Sequence, residues 1–276
     1  MQDYGIGLVT PVELAAGEAI RVTGRASREK CLFTSNNVYV ASVLQNGKII
    51  ANAPGFAQIT VMYEDGGTEY VYLSVRPGKA SFPVLINRYQ YVPRPADDLV
   101  VLPPDAVKEN KEIYLASCVR KRFLRMCEEA CRDNIRIIVN SGYRSVADQI
   151  RVLKYYAEKE GISEARRRCA PPGYSEHHSG LALDVGGGCL TGERYAPDSG
   201  AVYDWIDKNC HRFGFMVKNL PGKEHITGTK YEPWHIRYIG DLKLARYLHR
   251  HHLTLDEYLD SLLLETREIL PEKRRV

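Results

Sequence analysis

Two different periodicities run along this chain. In its first part apolar and polar positions alternate. Ala57, Ile59, Val61 and Tyr63 alternate with Gln58, Thr60 and Met62, and Val71, Leu73 and Val75 alternate with Tyr70, Tyr72 and Ser74. A period of two belongs to a strand with one buried face. Between the two runs stands Glu64-Asp65-Gly66-Gly67, which predicts a hairpin because Gly tolerates the positive φ of a tight turn. Asn46-Gly47 separates Val38–Leu44 from Lys48–Ala51 in the same way. No helical period interrupts this part, so it predicts a small antiparallel β-sandwich. Arg76-Pro77-Gly78-Lys79 then breaks the strand pattern, since Pro and Gly oppose its continuation. The expected division is residues 1–77 and 78–276.

Beyond that point the period becomes mixed. Ala116, Val119, Phe123, Met126 and Ala130 recur at steps of three and four, one face of a helix. Ile135–Val139 reads as a short buried strand. Ser145 followed by Asp148 approximates a capping box, opening a helix with Ile150, Leu153 and Ala157 on one side. Leu181, Leu183 and Val185 alternate with Ala182 and Asp184, and a further helix is expected from about Ser199 to His211. The expectation is an α+β domain with a small antiparallel sheet and flanking helices.

Composition changes this picture little. With 44% hydrophobic and 26% charged residues in 276, the chain is neither disordered nor of low complexity. A formal charge of +4 is too mild to argue for nucleic acid, and no zinc-finger or RNP pattern is present. No apolar run approaches the roughly 20 residues of a membrane span, and the first thirty residues show no apolar leader region. The seven cysteines, Cys31, Cys118, Cys127, Cys131, Cys169, Cys189 and Cys210, form no C-x-x-C pair. An odd number leaves at least one thiol free. Cys118, Cys127 and Cys131 are expected as buried small residues; Cys169, Cys189 and Cys210 could supply one disulfide in an oxidising compartment.

Candidate chemistry gathers in the second part. Asp184 sits inside the apolar run Leu181-Ala182-Leu183-Asp184-Val185, where an ionised carboxylate costs several kcal/mol unless it is paired or binds a metal. His177 stands seven residues upstream in a Ser/Gly-rich turn. In Glu232-Pro233-Trp234-His235-Ile236-Arg237-Tyr238, His235 and Arg237 project opposite to Trp234, Ile236 and Tyr238, while Pro233 keeps Glu232 in the turn before the strand. Two imidazoles and a carboxylate form a sound Zn²⁺ set with a fourth position for water. A nearby unligated Glu can take that water's proton and pass it to a leaving amine, the logic of metal-assisted amide hydrolysis.

Ser175-Glu176-His177-His178-Ser179-Gly180-Leu181-Ala182-Leu183-Asp184 fits S-x-H-x-x-G-x-A-x-D, and Glu232-Pro233-Trp234-His235 fits E-x-W-H. With Ser141-Gly142-Tyr143-Arg144-Ser145 and Gln149, these segments resemble the VanY-type D-alanyl-D-alanine carboxypeptidases, zinc peptidases of the LAS group. Leu85-Ile86-Asn87-Arg88-Tyr89, Phe213-Gly214-Phe215 and Ile226-Thr227-Gly228 extend the likeness over residues 84–260. In the first part, Thr34-Ser35-Asn36-Asn37, Val40-Ala41-Ser42-Val43, Gly47-Lys48-Ile49 and Pro54–Val61 resemble the bacterial Ig-like group 2 family over residues 10–76.

The resemblance implies Zn²⁺ held by His177, Asp184 and His235, with Glu232 as catalytic base. It implies that Arg144 holds the substrate carboxylate or the tetrahedral oxyanion, and that Ser175, Gln149 and Tyr143 contact substrate. The expected activity is D,D-carboxypeptidase action on peptidoglycan stem peptides, in the cell envelope or secreted, with the Ig-like domain as spacer. Alternatives with the same metal site are an L,D-carboxypeptidase, a D-Ala-D-Ala dipeptidase and a stem-peptide endopeptidase. A wall-binding surface protein is the non-enzymatic alternative. Oligomeric state is open. His178 is expected to point away from His177, Gly186-Gly187-Gly188 to be a flexible turn, His249, His251 and His252 to lie at a solvated helix end, and Glu272–Arg275 to be a solvated tail.

Overall fold

The computed structural model describes residues 10–78, 84–92, 95, 98–108, 111–191, 194–197, 199–262 and 266–273. The chain divides into two units. One runs to Leu85, takes in Tyr89–Tyr91 and resumes at Leu262; the other comprises Ile86–Arg88 and Val92–Ser261.

The first unit opens with β1 (Val12–Ala15), β2 (Ala19–Val22), β3 (Cys31–Ser35), β4 (Ala41–Val43), β5 (Lys48–Ala51), β6 (Gly55–Tyr63) and β7 (Thr68–Arg76). The alternating runs become β6 and β7, paired antiparallel from Gly55↔Val75 to Met62↔Thr68. The Tyr63 N–H donates to the Gly67 carbonyl at 2.9 Å to close the hairpin. One sheet has the order β1-β7-β6-β3, with β1 parallel to β7. Leu14, Ile20, Val22, Phe33, Ile49, Ile59, Val61 and Leu73 share one core. A short 3-10 turn at Gly24–Ser27 is a helical piece that the strand period concealed.

The second unit holds the β8 (Leu99–Val101) and β9 (Tyr114–Ala116) ladder, then α1 (Ser117–Arg132), β10 (Ile135–Ser141), α2 (Val146–Glu160), α3 (Ile162–Arg168), β11 (Ala182–Thr191) and β12 (Arg194–Pro197). There follow α4 (Ser199–Asn209), β13 (Phe215–Val217), α5 (Glu224–Thr227), β14 (His235–Tyr238), α6 (Leu242–His251) and α7 (Leu255–Ser261). Four strands form an antiparallel sheet in the order β10-β11-β14-β13, with β12 paired to β11. Helix α1 buries Val119, Phe123, Met126 and Ala130 as its spacing predicts. Its cysteines lie off that face: Cys118 and Cys131 are exposed and Cys127 half-buried, and all seven cysteines are free thiols. The Ser145–Asp148 capping box opens α2. The inward residue of that helix is Gln149, while Ile150 is 52% exposed, so α2 turns a polar group inward rather than the expected apolar stripe.

The three glycines expected in a turn are instead inside β11, where Gly186, Gly187 and Gly188 pair with Ile138, Ile137 and Arg136 of β10. Gly187 has φ +138°, and a Cβ there would stand 2.0 Å from the Arg136 carbonyl oxygen. Glycine serves as a closely approached strand residue here. Gly187→Ala is expected to cost about 2–3 kcal/mol through strain and overpacking. That should lower the unfolding midpoint of this unit by about 5–10 °C, and an unchanged calorimetric Tm would refute the close-approach reading.

After α7 the chain returns to the first unit as β15 (Thr266–Ile269) and β16 (Glu272–Lys273). β15 lies parallel to β2, and β16 pairs antiparallel with β7 at Glu272↔Tyr70. The second sheet of that unit therefore has the order β15-β2-β5-β4. A single cut at 77/78 cannot express this return, and Glu272 and Lys273 are strand residues rather than a solvated tail. Arg274 and Arg275 lie outside the described residues.

Candidate active site

The site is built across β11 and β14. Their register sets Asp184 directly opposite His235 and Ala182 opposite Arg237, so the polar residues of both strands share one face while Leu183 and Ile236 enter the core. His177 comes from the short helical turn Glu176–Ser179, whose cap Ser175 accepts a hydrogen bond from the His177 backbone N–H. Asp184 lies between the two imidazoles. Its Oδ2 is 3.2 Å from His177 Nε2 and its Oδ1 is 2.9 Å from His235 Nδ1. One ligand atom from each of the three residues falls within 4.8 Å of the others, the only such group of three or more among the described residues.

The far side of His177 is fixed by the chain before α2. His177 Nδ1 lies 2.7 Å from the Gly142 carbonyl oxygen. An acceptor there places the imidazole proton on Nδ1 and leaves the Nε2 lone pair facing Asp184. Gly142 is itself packed against the chain around β9: a Cβ there would meet Ile113 Cγ2 at 2.5 Å and the Tyr114 carbonyl oxygen at 2.7 Å.

Electrostatics match this geometry. Burial works against the charged form of Asp184, yet His177 and His235 overcome it and hold its carboxyl far below the ordinary range. Burial pushes His177 down. It opposes a charged His235 too, but hydrogen bonds to Asp184 and Glu176 outweigh it and push His235 up to about 10. An ionised Asp184 carboxylate between two imidazoles suits a borderline divalent cation such as Zn²⁺.

The cluster opens into a cavity of about 330 Å³, lined among others by Arg144, Gln149, Ser175, Glu232 and Trp234. Glu232 precedes β14, its carbonyl accepting from the His235 N–H at 3.1 Å. Burial pushes its carboxyl up, and Asn219 Nδ2 donates to Oε2 at 2.7 Å. Arg144 donates through Nη1 to Gln149 Oε1 at 2.7 Å and through Nη2 to Ser141 Oγ at 2.9 Å. It also lies 3.6 Å from Asp184 Oδ2.

Two expected substrate contacts look different in place. Gln149 spends its carbonyl on Arg144, and its amide donates to the Ala170 carbonyl at 2.8 Å. Tyr143 does not line the cavity. Its backbone N–H donates to the Tyr114 carbonyl at 2.7 Å. His178 also turns from the cluster: its Nδ1 is 2.6 Å from the Arg144 carbonyl and its Nε2 accepts from the Gly173 N–H.

The chain is similar to proteins of known kind. The VanY family, described as D-alanyl-D-alanine carboxypeptidase, matches residues 112–241. A D-alanyl-D-alanine carboxypeptidase of Enterococcus faecium is 34% identical over 154 residues, 55% of this chain and 46% of the relative. Among solved structures, the LdcB LD-carboxypeptidase superposes with a TM-score of 0.55 at 30% identity, over 67% of this chain and 86% of that one. A VanY D,D-pentapeptidase mutant in complex with Zn(II) gives 0.52 at 30% identity, over 64% of this chain and 97% of that one. The chain belongs to the VanY family. It spans about half the length of the E. faecium relative.

Within this VanY-family unit, two residues that the motifs did not single out stand against the site. Glu176 occupies an unspecified position of S-x-H, but it is buried and its Oε2 lies 2.9 Å from His235 Nε2. Its other oxygen accepts from Arg237 Nη1 at 2.7 Å. Burial alone would raise its pKa; Arg237, His235 and Lys218 outweigh that and hold it at about 2. Asn219 is the second, clamping Glu232 through its side chain and its carbonyl. The sequence carried one signal for Glu176: His235 and Arg237 share a strand face, and an Arg buried there requires an acid.

Proposed function

We propose that the second unit is a zinc-dependent D,D-carboxypeptidase that hydrolyses the terminal D-Ala-D-Ala bond of peptidoglycan stem peptides. The observation that carries this reading is the convergence of His177, Asp184 and His235 beside Glu232 and Arg144 in one cavity. His177, Asp184 and His235 would hold Zn²⁺, which when bound supplies a Lewis acid that polarises the scissile carbonyl and acidifies water. Glu232 takes the proton from the attacking water and delivers it to the leaving amine. Its raised pKa suits both halves of that exchange. Arg144, held as a fork by Gln149 and Ser141, presents its remaining N–H groups to the carbonyl oxygen as charge develops, or to the substrate carboxylate. Ser175 lines the wall of the substrate cavity.

Two further readings belong with it. The first unit is inferred to be a bacterial Ig-like spacer, supported by its two sheets over one core and by the motif order from Thr34 to Val61. Action on the wall implies an extracytoplasmic place for the protein; among the described residues no helix is long and apolar enough to cross a membrane. The likeness to an LD-carboxypeptidase keeps L,D-cleavage as the second reading of the same site.

The test is amino-acid release from synthetic stem pentapeptide, tetrapeptide and D-Ala-D-Ala, with chelator and after zinc is restored. The expected result is release of D-Ala from the pentapeptide, reduced to background by chelator and recovered with Zn²⁺. Release from the tetrapeptide alone would replace the D,D reading by the L,D one. Bound zinc without turnover on any of the three, or on longer cross-linked stems, would refute the enzymatic reading.

A further inference from the structure

Glu176 has no part in the chemistry proposed above, yet it is one of the most buried acids of the unit, at 6% exposure, and it faces the metal cluster from behind. His235 stands between two carboxylates, with Nδ1 2.9 Å from Asp184 Oδ1 and Nε2 2.9 Å from Glu176 Oε2. A neutral imidazole carries a single N–H, and an ionised carboxylate can only accept. When a cation occupies the cluster, the proton of His235 therefore belongs on Nε2, donated to Glu176, and the lone pair of Nδ1 turns to the cation.

His177 is set the opposite way. Its Nδ1 meets the Gly142 carbonyl and its Nε2 faces Asp184. The two imidazoles thus offer different nitrogens to one point, each selected by an acceptor behind it. Glu176 is itself oriented: Arg237, 1% exposed, donates Nη1 to its Oε1. Room for that guanidinium comes from Ala182, the small residue opposite Arg237 in the ladder.

Resting on the metal reading above, we propose that Glu176 is a positioning residue for the metal, selecting the Nδ1-ligating form of His235 and holding its ring, with Arg237 orienting Glu176 in turn. The alternative is a plain buried ion pair of the fold, which would affect stability and leave metal binding alone.

The test reads zinc affinity, by competition against a chromophoric chelator, in the full chain and in Glu176→Gln. The amide cannot satisfy Arg237 and His235 Nε2–H with one oxygen, so the variant is expected to bind Zn²⁺ about 10- to 100-fold more weakly, the usual effect of losing a partner behind a metal ligand. A folded variant whose zinc affinity lies within threefold of wild type would overturn the proposal. Absence of zinc binding by the wild type would instead sink the metal reading itself. Should Glu176→Gln not fold, ¹⁵N-edited NMR of the zinc-loaded wild type decides. A His235 protonated at Nε2 is the expected spectrum, and protonation at Nδ1 would refute the proposal.

Discussion

Glu232→Gln should lower kcat by about 10²–10⁴-fold, the range of a lost general acid–base, while leaving zinc content and KM near wild type. The substitution keeps the shape of the side chain and an oxygen that Asn219 can still donate to at the place of Oε2. What it removes is the capacity to take a proton from water and return it to the amine. Stability should move the other way. Burial raises the Glu232 carboxyl, which means the ionised form is held in the folded chain at a cost, and a neutral amide removes that cost. The variant is therefore expected to melt at the wild-type temperature or above it, the exchange of stability for function that active sites commonly show. Rates within tenfold of wild type at full zinc occupancy would remove Glu232 from the role of base.

Residues whose chemistry fixes their type were legible before any fold was known. An acid inside Leu181–Val185 needs a partner, and the alternation of His235 and Arg237 with Ile236 gave the face on which that partner stands; Trp234, expected on the opposite face, precedes the strand and lines the same cavity as His235. The β6–β7 hairpin and the inner face of α1 were legible for a related reason, since local period and turn residues determine them. What escaped depends on distant chain. Gly186–Gly188 read as a turn because nothing local reveals that Arg136 presses its carbonyl against Gly187. β15 is a short piece whose pairing with β2 spans almost the whole sequence, and no period marks a four-residue strand. The motif names Tyr143 and Gln149 together, but whether such a residue touches substrate or holds its neighbour depends on side-chain direction, which a sequence does not carry.

Arg144 and Gln149 turn that last distinction into a measurement. Arg144→Lys is expected to lower kcat/KM by about 10²–10³-fold, the scale of one lost oxyanion donor. Lysine keeps the charge but replaces a planar fork by a point charge, and it cannot span Gln149 Oε1 and Ser141 Oγ at 2.7 and 2.9 Å at once. Gln149→Ala removes one side of that clamp and should produce a smaller loss of the same kind, because Gln149 acts through Arg144. The double variant then discriminates, since residues in one hydrogen-bonded network are not additive. If Gln149 only holds the guanidinium, Arg144→Lys with Gln149→Ala should be no slower than Arg144→Lys alone. If the two losses multiply, Gln149 meets the substrate directly, and the buried amide must release the Ala170 carbonyl or Arg144 when substrate enters.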